Sequence, residues 1–346
     1  MIAAGGTAGH VLPALAVAES LQGRGARVTF AGRPDSVEEQ LASAAGLEFD
    51  AFRVDGLPRR PSLRLAGALA RDLVAPAACA RILRRRRPDA VLGAGGYVGG
   101  PMVLAARTLG IRAALTEADA HLGLANRLAA PFAQVVFLAF PLDGIEGPKY
   151  RVVGRPIPAR SRPPGRAEAR ERFELPADGP VVLVFGGSQG AARLNEAAYA
   201  AFAESGPAVL HLAGERDFPE LERRPRRDDY RLLPFTDEFG AALAAADLVV
   251  ARAGGSVWEV AAAGKPALLV PYPHATADHQ AKNARYFERG GGAVVVSEGE
   301  LDVRRQVDEL LGDPERLAAM GAAMLELAKP DAADVVAEGL MALARA

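Results

Sequence analysis

Short apolar segments alternate with alanine- and leucine-rich stretches along most of the chain. In one of them, four apolar residues, Val181–Val184, run into a turn that is followed by helix-forming residues. Buried parallel strands have this unbroken apolar character because helices cover both of their faces. The pattern therefore predicts βαβ units and parallel, doubly wound sheets. The predicted strands lie in MIAA, RVTFAG, DAVLGA, RAALTE, QVVFLA, VVLVFG, AVLHLAG, DLVVARAG, PALLVP and AVVV.

The alternation breaks between about residues 140 and 175, where proline, glycine and arginine are frequent. Such a composition is typical of a linker between domains. The chain has 346 residues, which is enough for two domains that each bury a core. We therefore predict an N-terminal domain over residues 1–155, a C-terminal domain over 156–330, and a final helix over 331–346. This helix can pack on either domain, and packing back on the N-terminal one is one of the two possibilities.

Composition and charge exclude several classes of protein. The net charge is −1, so the chain as a whole has no electrostatic attraction for nucleic acid. Cys79 is the only cysteine, which rules out a disulfide framework and a thiolate metal site. No apolar run reaches about 18 residues, so no transmembrane helix is predicted. A cytosolic location is the simplest expectation.

Glycine-rich loops follow four of the predicted strands, and each precedes a helix-compatible segment. Glycine lets the backbone approach an anion closely, and free N–H groups at the helix start then face the negative charge. The same glycines can instead make tight turns or allow close packing. None of the loops ends in Gly-Lys-Ser/Thr, and none is a clean G-x-G-x-x-G with a following acidic residue, so a nucleotide-triphosphate P-loop or a dinucleotide site is not favoured. The loops are GGTAGH at Gly5–His10, GAGGYVGGP at Gly93–Pro101, FGGSQG at Phe185–Gly190 and ARAGGS at Ala251–Ser256.

A few polar side chains have types and positions suited to chemistry. His10 ends the first glycine loop and suits a general base, although it can also cap the helix or bind a pyrophosphate. Asp119 is a competing base. Ser256 and Glu259 have capping-box spacing, and the same carboxylate can accept two hydrogen bonds from a cis-diol. No histidine pair has a third ligand at metal-site spacing, so no metal is predicted.

The segment from Leu63 to Arg87 is amphipathic and basic. It combines leucines at four-residue spacing, Leu65, Leu69 and Leu73, with the charge run Arg84–Arg87. A helix of this type can lie on an anionic membrane or be an ordinary solvated surface helix. Pro76 predicts a kink or a break in it.

Taken together, these motifs resemble the GT-B glycosyltransferases, and among them the N-acetylglucosaminyltransferases of peptidoglycan synthesis. The resemblance implies an α/β GT-B fold, with two Rossmann-like doubly wound parallel-sheet domains facing a cleft. It also implies transfer of GlcNAc from UDP-GlcNAc to lipid I (undecaprenyl-pyrophosphoryl-MurNAc-pentapeptide), with inversion and without a metal or other cofactor. The product would be lipid II. The matching segments are GGTAGHVLPALAVAE, GAGGYVGGP, EADAHLGLANR, FGGSQGAARLN and RAGGSVWEVAAAGKPALLVPYPHATADHQAKNA, in the family's order over residues 5–283.

The resemblance also implies roles for individual residues. The catalytic candidates are His10 and Asp119. The expected partners are UDP-GlcNAc, lipid I, the anionic cytoplasmic membrane surface and other cell-wall synthesis proteins, without nucleic acid; the protein would lie peripherally on the cytoplasmic face of the cell membrane. The donor is expected at Thr7, Gly9, Asp119, Gly187, Ser188, Gln189, Thr236, Phe239, Glu259, His279, Gln280 and Asn283. The acceptor and its diphosphate are expected at Gly5, Gly6, Thr7, Gly9, His10, Gly95, Gly96, Tyr97, Glu117 and Asn126.

The chain departs from the family's motifs in four places, one of which is the loop between Arg252 and Glu259, shorter by one residue than in many members. Ala8 stands where the first loop usually has glycine, and the usual Glu-Gln-Asn is Glu117-Ala118-Asp119. The arginine often found just after Gly-Asn-Pro is missing from Gly154–Pro158. The alternative functions for the chain are those of another GT-B transferase for glycolipids or antibiotics, of a UDP-GlcNAc 2-epimerase, or of a non-catalytic UDP-sugar-binding partner.

Overall fold

The computed structural model describes residues 1–54, 63–161, 163–187 and 190–345. The chain forms two compact units. The first comprises residues 1–158 together with 330–346, and the second comprises residues 159–329. The predicted division lay at 155/156, three residues before the point where the chain enters the second unit.

Within the described residues, the first unit contains a parallel sheet of seven strands in the order β3-β2-β1-β4-β5-β6-β7. The order reverses between β1 and β4, which are neighbours: Ile2 pairs with Phe30 on one side and with Leu92 on the other. In doubly wound sheets, ligands bind beyond the carboxyl ends of the strands at such a reversal. The strands are β1 (Ile2–Ala3), β2 (Thr29–Gly32), β3 (Glu48–Ala51), β4 (Ala90–Gly93), β5 (Arg112–Glu117), β6 (Val135–Leu138) and β7 (Tyr150–Val152).

Helices cover both faces of this sheet and form two cores with it. One core contains Cys79, Leu83 and Met102, and the other contains Phe30 and Leu92. The central strands are buried on both faces, which explains their continuous apolar runs. The helices are α1 (Ala8–Gly23), α2 (Val37–Ala44), α3 (Leu63–Arg86), α4 (Gly96–Thr108) and α5 (Leu124–Ala129).

The second unit repeats this plan. Among its described residues, six parallel strands follow the order β10-β9-β8-β11-β12-β13, so the reversal lies between β8 and β11. The strands are β8 (Val181–Phe185), β9 (Ala208–Leu212), β10 (Tyr230–Leu233), β11 (Leu248–Ala251), β12 (Ala267–Leu269) and β13 (Ala293–Val295). The helices are α6 (Arg166–Arg172), α7 (Ala192–Phe202), α8 (Phe218–Glu222), α9 (Phe239–Ala245), α10 (Val257–Ala262), α11 (His279–Arg289), α12 (Val303–Leu311) and α13 (Pro314–Leu327).

The last helix, α14 (Ala332–Arg345), belongs to the first unit. Val336 and Leu340 are buried in the same core as the apolar face of α1. At the rim of this contact, Arg24, the residue directly after α1, donates hydrogen bonds to the carboxylates of Asp334 at 2.8 Å and Glu338 at 3.1 Å. Apolar burial and charge pairing therefore both hold α14 against α1.

The prediction of two Rossmann-like units with parallel sheets is confirmed. Two local predictions hold only in part. The chain crosses between the two units inside residues 140–175, as predicted, but this segment also contains β7 and α6. Pro76 does not break its helix, since α3 is continuous from Leu63 to Arg86, and the alternative of a kink stays a prediction. None of the helices in the described ranges combines the length and apolar character needed to cross a membrane.

Candidate active site

The four glycine loops lie at the reversal points of the two sheets. In the first unit they follow the neighbouring strands β1 and β4, and in the second they follow the neighbouring strands β8 and β11. Because all strands of each sheet run parallel, both loops of a pair lie at the same edge. Each unit therefore has one edge of the kind at which doubly wound sheets bind ligands.

His10 lies in the first turn of α1, where it contacts both loops of the first unit. Its Nδ1 is 3.3 Å from Thr7 Oγ1, and the ring is half-exposed. A Cβ at Gly95 would lie 2.6 Å from His10 Cδ2, and a Cβ at Gly96 would lie 2.4 Å from the carbonyl oxygen of Gly5. Both glycines also have positive φ, 77° and 68°. Close packing therefore requires these two glycines, and the imidazole is seated against the second loop.

The first loop is also covered by Tyr97. A Cβ at Gly6, whose φ is +100°, would lie 3.3 Å from Tyr97 Cε1. The Tyr97 hydroxyl accepts a hydrogen bond of 3.0 Å from Arg33 Nη1. Tyr97 is half-buried, so its ring lies over the glycine turn while its hydroxyl is held by the arginine.

Arg155, which the sequence analysis did not select, ties two loops of the first unit together. Its guanidinium donates to the carbonyl oxygen of Gly9 and, at 3.4 Å, to that of Ala118. The side chain is 8% exposed. Arg155 therefore places a cation beside the loops that follow β1 and β5.

Glu117 and Asn126 build the loop that carries Asp119. Both are buried, and Glu117 accepts hydrogen bonds from Asn126 Nδ2 at 2.9 Å and from the backbone of Gly123 at 2.9 Å and of Asp119 at 3.2 Å. Burial raises the pKa of Glu117, while these hydrogen bonds act in the opposite direction. The two side chains are engaged within the loop, and their predicted contact with the acceptor stays a prediction. Asp119 itself is half-buried at the carboxyl end of β5.

In the second unit, the loop after β8 leads into α7. Ser188 and Gln189 lie outside the described residues. Gly187 and Gly190, with φ of 96° and 77°, have the left-handed conformation that glycine permits. A Cβ at Gly190 would lie 2.6 Å from Asp217 Oδ2 and 2.7 Å from the carbonyl oxygen of Ala213. Conformation and close packing therefore both require glycine at position 190.

Glu259 lies in the first turn of α10 and is half-exposed. Ser256 occupies the N-cap position, but its side chain makes no capping hydrogen bond, so the capping-box interpretation is wrong. Instead, the buried Ser161 donates a hydrogen bond of 2.5 Å from its Oγ to Glu259 Oε1. The carboxylate is thus oriented by a serine that sequence reasoning missed.

Two amides expected at the sugar hold α11 in place. Gln280 Oε1 accepts a hydrogen bond of 2.9 Å from the backbone N–H of Tyr272. Asn283 is fully buried and donates from Nδ2 to the carbonyl oxygen of Ala253 at 3.2 Å. Both connect α11 to the loops that follow β11 and β12, at the carboxyl edge of the sheet.

His279 begins α11 directly after two residues in the left-handed conformation, Ala277 with φ 53° and Asp278 with φ 56°. Each such non-glycine residue costs on the order of 1–3 kcal/mol, so surrounding contacts must hold this turn. His279 is half-exposed at the resulting helix start.

Phe239 packs against the end of β8, and Thr236 lies between β10 and α9. The Phe239 ring contacts Phe185 edge-on, with 5.1 Å between the ring centroids. Thr236 Oγ1 accepts a hydrogen bond of 3.0 Å from the backbone of Glu238, and Glu238 is the residue at the N-cap position of α9. The alternative that Thr236 or Asp237 occupies that cap is therefore wrong.

Comparison with known proteins identifies the family. The N-terminal domain of glycosyltransferase family 28 matches residues 1–138, and its C-terminal domain matches residues 181–336. A UDP-N-acetylglucosamine--N-acetylmuramyl-(pentapeptide) pyrophosphoryl-undecaprenol N-acetylglucosamine transferase of Rubrobacter xylanophilus is 42% identical over 340 residues, with 95% of this chain and 99% of the relative covered. The chain belongs to glycosyltransferase family 28.

Solved structures agree with membership of family 28. Acinetobacter baumannii MurG has a TM-score of 0.78 and 31% identity, covering 99% of this chain and 98% of that chain. A putative UDP-N-acetylglucosamine 2-epimerase from Listeria monocytogenes has a TM-score of 0.71 at 13% identity, over 99% of this chain and 95% of that chain, which shows a shared fold alone. The GT-B expectation is confirmed by these likenesses.

In this family 28 chain the basic run at the end of α3 is partly neutralised. Arg86 Nε donates to Asp50 Oδ2 at 2.7 Å, and Arg85 pairs with the same buried carboxylate. Arg84 and Arg87 are exposed. The side chains of the leucines at 65, 69 and 73 lie outside the described part of the chain. Among the described residues, no three His, Cys, Asp or Glu side chains come together as metal ligands, and metal independence stays a prediction.

Proposed function

We propose that this chain transfers N-acetylglucosamine from UDP-GlcNAc to lipid I and so forms lipid II, with inversion at the anomeric carbon. The observation that carries the proposal is the pair of glycine loops at the reversal point of each of the two sheets. A transferase needs two binding edges, one for the donor and one for the acceptor. The near-full-length similarity to N-acetylglucosamine transferases supports this choice over the other GT-B activities.

The second unit binds the donor. The backbone around Gly187 and Gly190, together with Ser188 and Gln189, contacts the diphosphate at the start of α7. Negative charge develops on the UDP oxygen as its bond to the sugar breaks, and oriented N–H groups at a helix start stabilise such charge. No metal takes part in this step of the proposal.

The nucleoside and the sugar occupy the surroundings of that loop. Glu259, oriented by Ser161, accepts hydrogen bonds from the ribose hydroxyls. Thr236 and Phe239 hold the uracil, with the ring as its apolar cover. The sugar hydroxyls contact His279 and Gln280 at the start of α11, and Asn283 holds that helix in place. A site that hydrogen-bonds each hydroxyl discriminates strongly against analogues that lack one.

The first unit binds the acceptor. Gly5, Gly6, Thr7 and Gly9 cradle the lipid diphosphate, bounded by Tyr97. His10 removes the proton from the acceptor hydroxyl as the hydroxyl oxygen attacks the anomeric carbon. The new glycosidic bond forms as the bond to UDP breaks, and the proton ends on the imidazole. A half-exposed histidine beside a glycine loop suits this role, and Asp119 at the same edge of the sheet is the competing base.

The protein acts at the cytoplasmic face of the cell membrane, where its lipid-linked acceptor is anchored. Arg84, Arg85 and Arg87 are exposed in the basic run at the end of α3, and Arg85 pairs with Asp50. Arg84 and Arg87 therefore carry the attraction to anionic lipid in this proposal. Other cell-wall synthesis proteins are further expected partners.

Incubation with UDP-GlcNAc and a short-chain lipid I analogue tests the proposal. We expect the disaccharide product with wild-type protein, unchanged turnover in excess EDTA, and no sugar epimer when the acceptor is omitted. An epimerised sugar nucleotide without acceptor would refute the assignment. Activity lost in EDTA and restored by Mg²⁺ would refute the metal-free treatment of the leaving group.

A further inference from the structure

A chain of polar side chains crosses the core of the second unit and ends beneath the donor loop. It runs from Tyr230 of β10 through His211 of β9 and Asn195 of α7 to Asp217, just before α8. The first three residues are at most 2% exposed. Polar groups are costly to bury, so a connected and satisfied network of this kind calls for a reason.

The hydrogen bonds of this network have one consistent direction. Asn195 Nδ2 donates to the carbonyl oxygen of Ala213 at 2.8 Å and to Asp217 Oδ2 at 3.0 Å. Its Oδ1 is therefore an acceptor that faces His211 Nε2 at 3.0 Å, so Nε2 carries the proton. His211 Nδ1 then accepts from the Tyr230 hydroxyl at 2.7 Å. Burial lowers the pKa of His211 to about 3, which keeps the imidazole neutral and this direction fixed.

The network ends on the two atoms against which the donor loop packs. Asp217 Oδ2 and the carbonyl oxygen of Ala213 are the acceptors of Asn195, and they are also the atoms 2.6 Å and 2.7 Å from the position of a Cβ at Gly190. Asn195 itself stands near the start of α7. The Asp217 carboxylate is neutralised from outside by Arg216, whose Nε donates to Oδ1 at 2.7 Å.

We propose that His211 is a positioning residue for the diphosphate of the sugar nucleotide. It does not touch the donor; it fixes the amide of Asn195, which holds the two acceptors against which Gly190 packs. The Gly190 N–H donates to the carbonyl oxygen of Gly187 at 2.9 Å, so the N–H groups that this packing orients before the donor arrives are those of the first turn of α7. Preorganised donors need no rearrangement when charge develops, which is why their alignment affects the rate. The inference rests on the proposed function, because it assigns the loop to a diphosphate.

The test compares the affinities for UDP and for uridine by calorimetry. His211→Leu removes both ring nitrogens, and we expect UDP to bind about tenfold more weakly, the effect of one misplaced hydrogen bond to a charged group, while uridine binding changes less than about twofold. His211→Gln can donate to Asn195 and accept from Tyr230, so it should restore the preference for UDP. In turnover, His211→Leu should raise the KM for UDP-GlcNAc and lower kcat, with the KM for lipid I unchanged.

Two further measurements separate positioning from simple loss of stability. Leu310→Ala, a truncation in the same core, is the matched destabilised control and should leave the ratio of UDP to uridine affinity unchanged. Without ligand, amide hydrogen exchange at residues 190–195 should rise in His211→Leu but not in Leu310→Ala. An unchanged affinity ratio in His211→Leu, or an equal change in Leu310→Ala, would overturn the inference. Wild-type protein that prefers UDP no more than uridine would overturn the proposed function, whereas the exchange result would still report whether His211 orders the loop.

Discussion

Replacing Glu259 with glutamine tests the donor site most directly. Glutamine keeps the size of the side chain but removes the charge and one acceptor oxygen, while Ser161 can still donate to the remaining oxygen. A hydrogen bond to a charged group contributes about 1.5–3 kcal/mol, so losing one to the ribose should weaken UDP binding roughly 10- to 150-fold. Ser161→Ala removes only the neutral partner and should weaken UDP binding by less than tenfold.

The assay is calorimetry with UDP and with 2′-deoxy-UDP on the wild type and both variants. Wild-type protein should prefer UDP strongly, and the preference should nearly disappear in Glu259→Gln because the missing hydroxyl no longer has its acceptor. Equal thermal stability of the variants serves as the control for folding. If Glu259→Gln keeps the wild-type preference for UDP, the carboxylate does not bind the ribose, and its bond to Ser161 serves only to hold α10.

Three other predictions concern catalysis, membrane contact and acid stability. His10→Ala should lower kcat by a factor of ~10²–10⁴ and leave the affinity for UDP-GlcNAc nearly unchanged. A raised KM for the acceptor with kcat kept would instead indicate that His10 binds phosphate. Asp119→Asn is measured in parallel, and a loss of kcat in that variant alone would make Asp119 the general base. Replacing Arg84 and Arg87 with glutamine should reduce sedimentation with anionic vesicles, and binding insensitive to both the change and added salt would contradict membrane attraction. Because burial lowers the pKa of His211 from 6.5 to about 3, the unfolded chain binds a proton over that range that the folded chain does not. The free energy of unfolding should therefore fall as pH drops below 6.5, by at most ~1.4 kcal/mol per pH unit from this group. Urea unfolding measures this free energy at each pH, and a pH dependence as steep in His211→Gln as in the wild type would contradict the prediction.

The apolar pattern predicts the central strands and misses three at sheet edges. β3 and β7 are the two edges of the first sheet, and β10 is an edge of the second. An edge strand can be covered less completely, so its residues need not be continuously apolar. In β3 only Asp50 is buried, and in β7 every residue is half-exposed or fully exposed. Neither segment therefore differs from a loop by composition alone.

In the candidate site, features set by the local backbone could be predicted from the sequence, and features set by distant residues could not. Gly95, Gly96 and Gly190 could be selected from the sequence because glycine is the residue that permits their positive φ and the close packing around them. The hydrogen-bond partners of Glu259 and Gly9 could not be predicted from the sequence, since Ser161 is 98 residues from Glu259 and Arg155 is 146 residues from Gly9. Only the fold brings such pairs together.

The position of α14 has a consequence for the order in which the protein is made. The chain leaves the first unit after Pro158 and returns to it only at Pro330, so the whole second unit is synthesised before the last helix of the first. Val336 and Leu340 complete the core that α1 began some 300 residues earlier. The amino-terminal unit is thus the last to be finished on the ribosome. A premature stop that removes only α14 would expose apolar surface at the opposite end of the sequence, and it would leave the second unit with all of its chain.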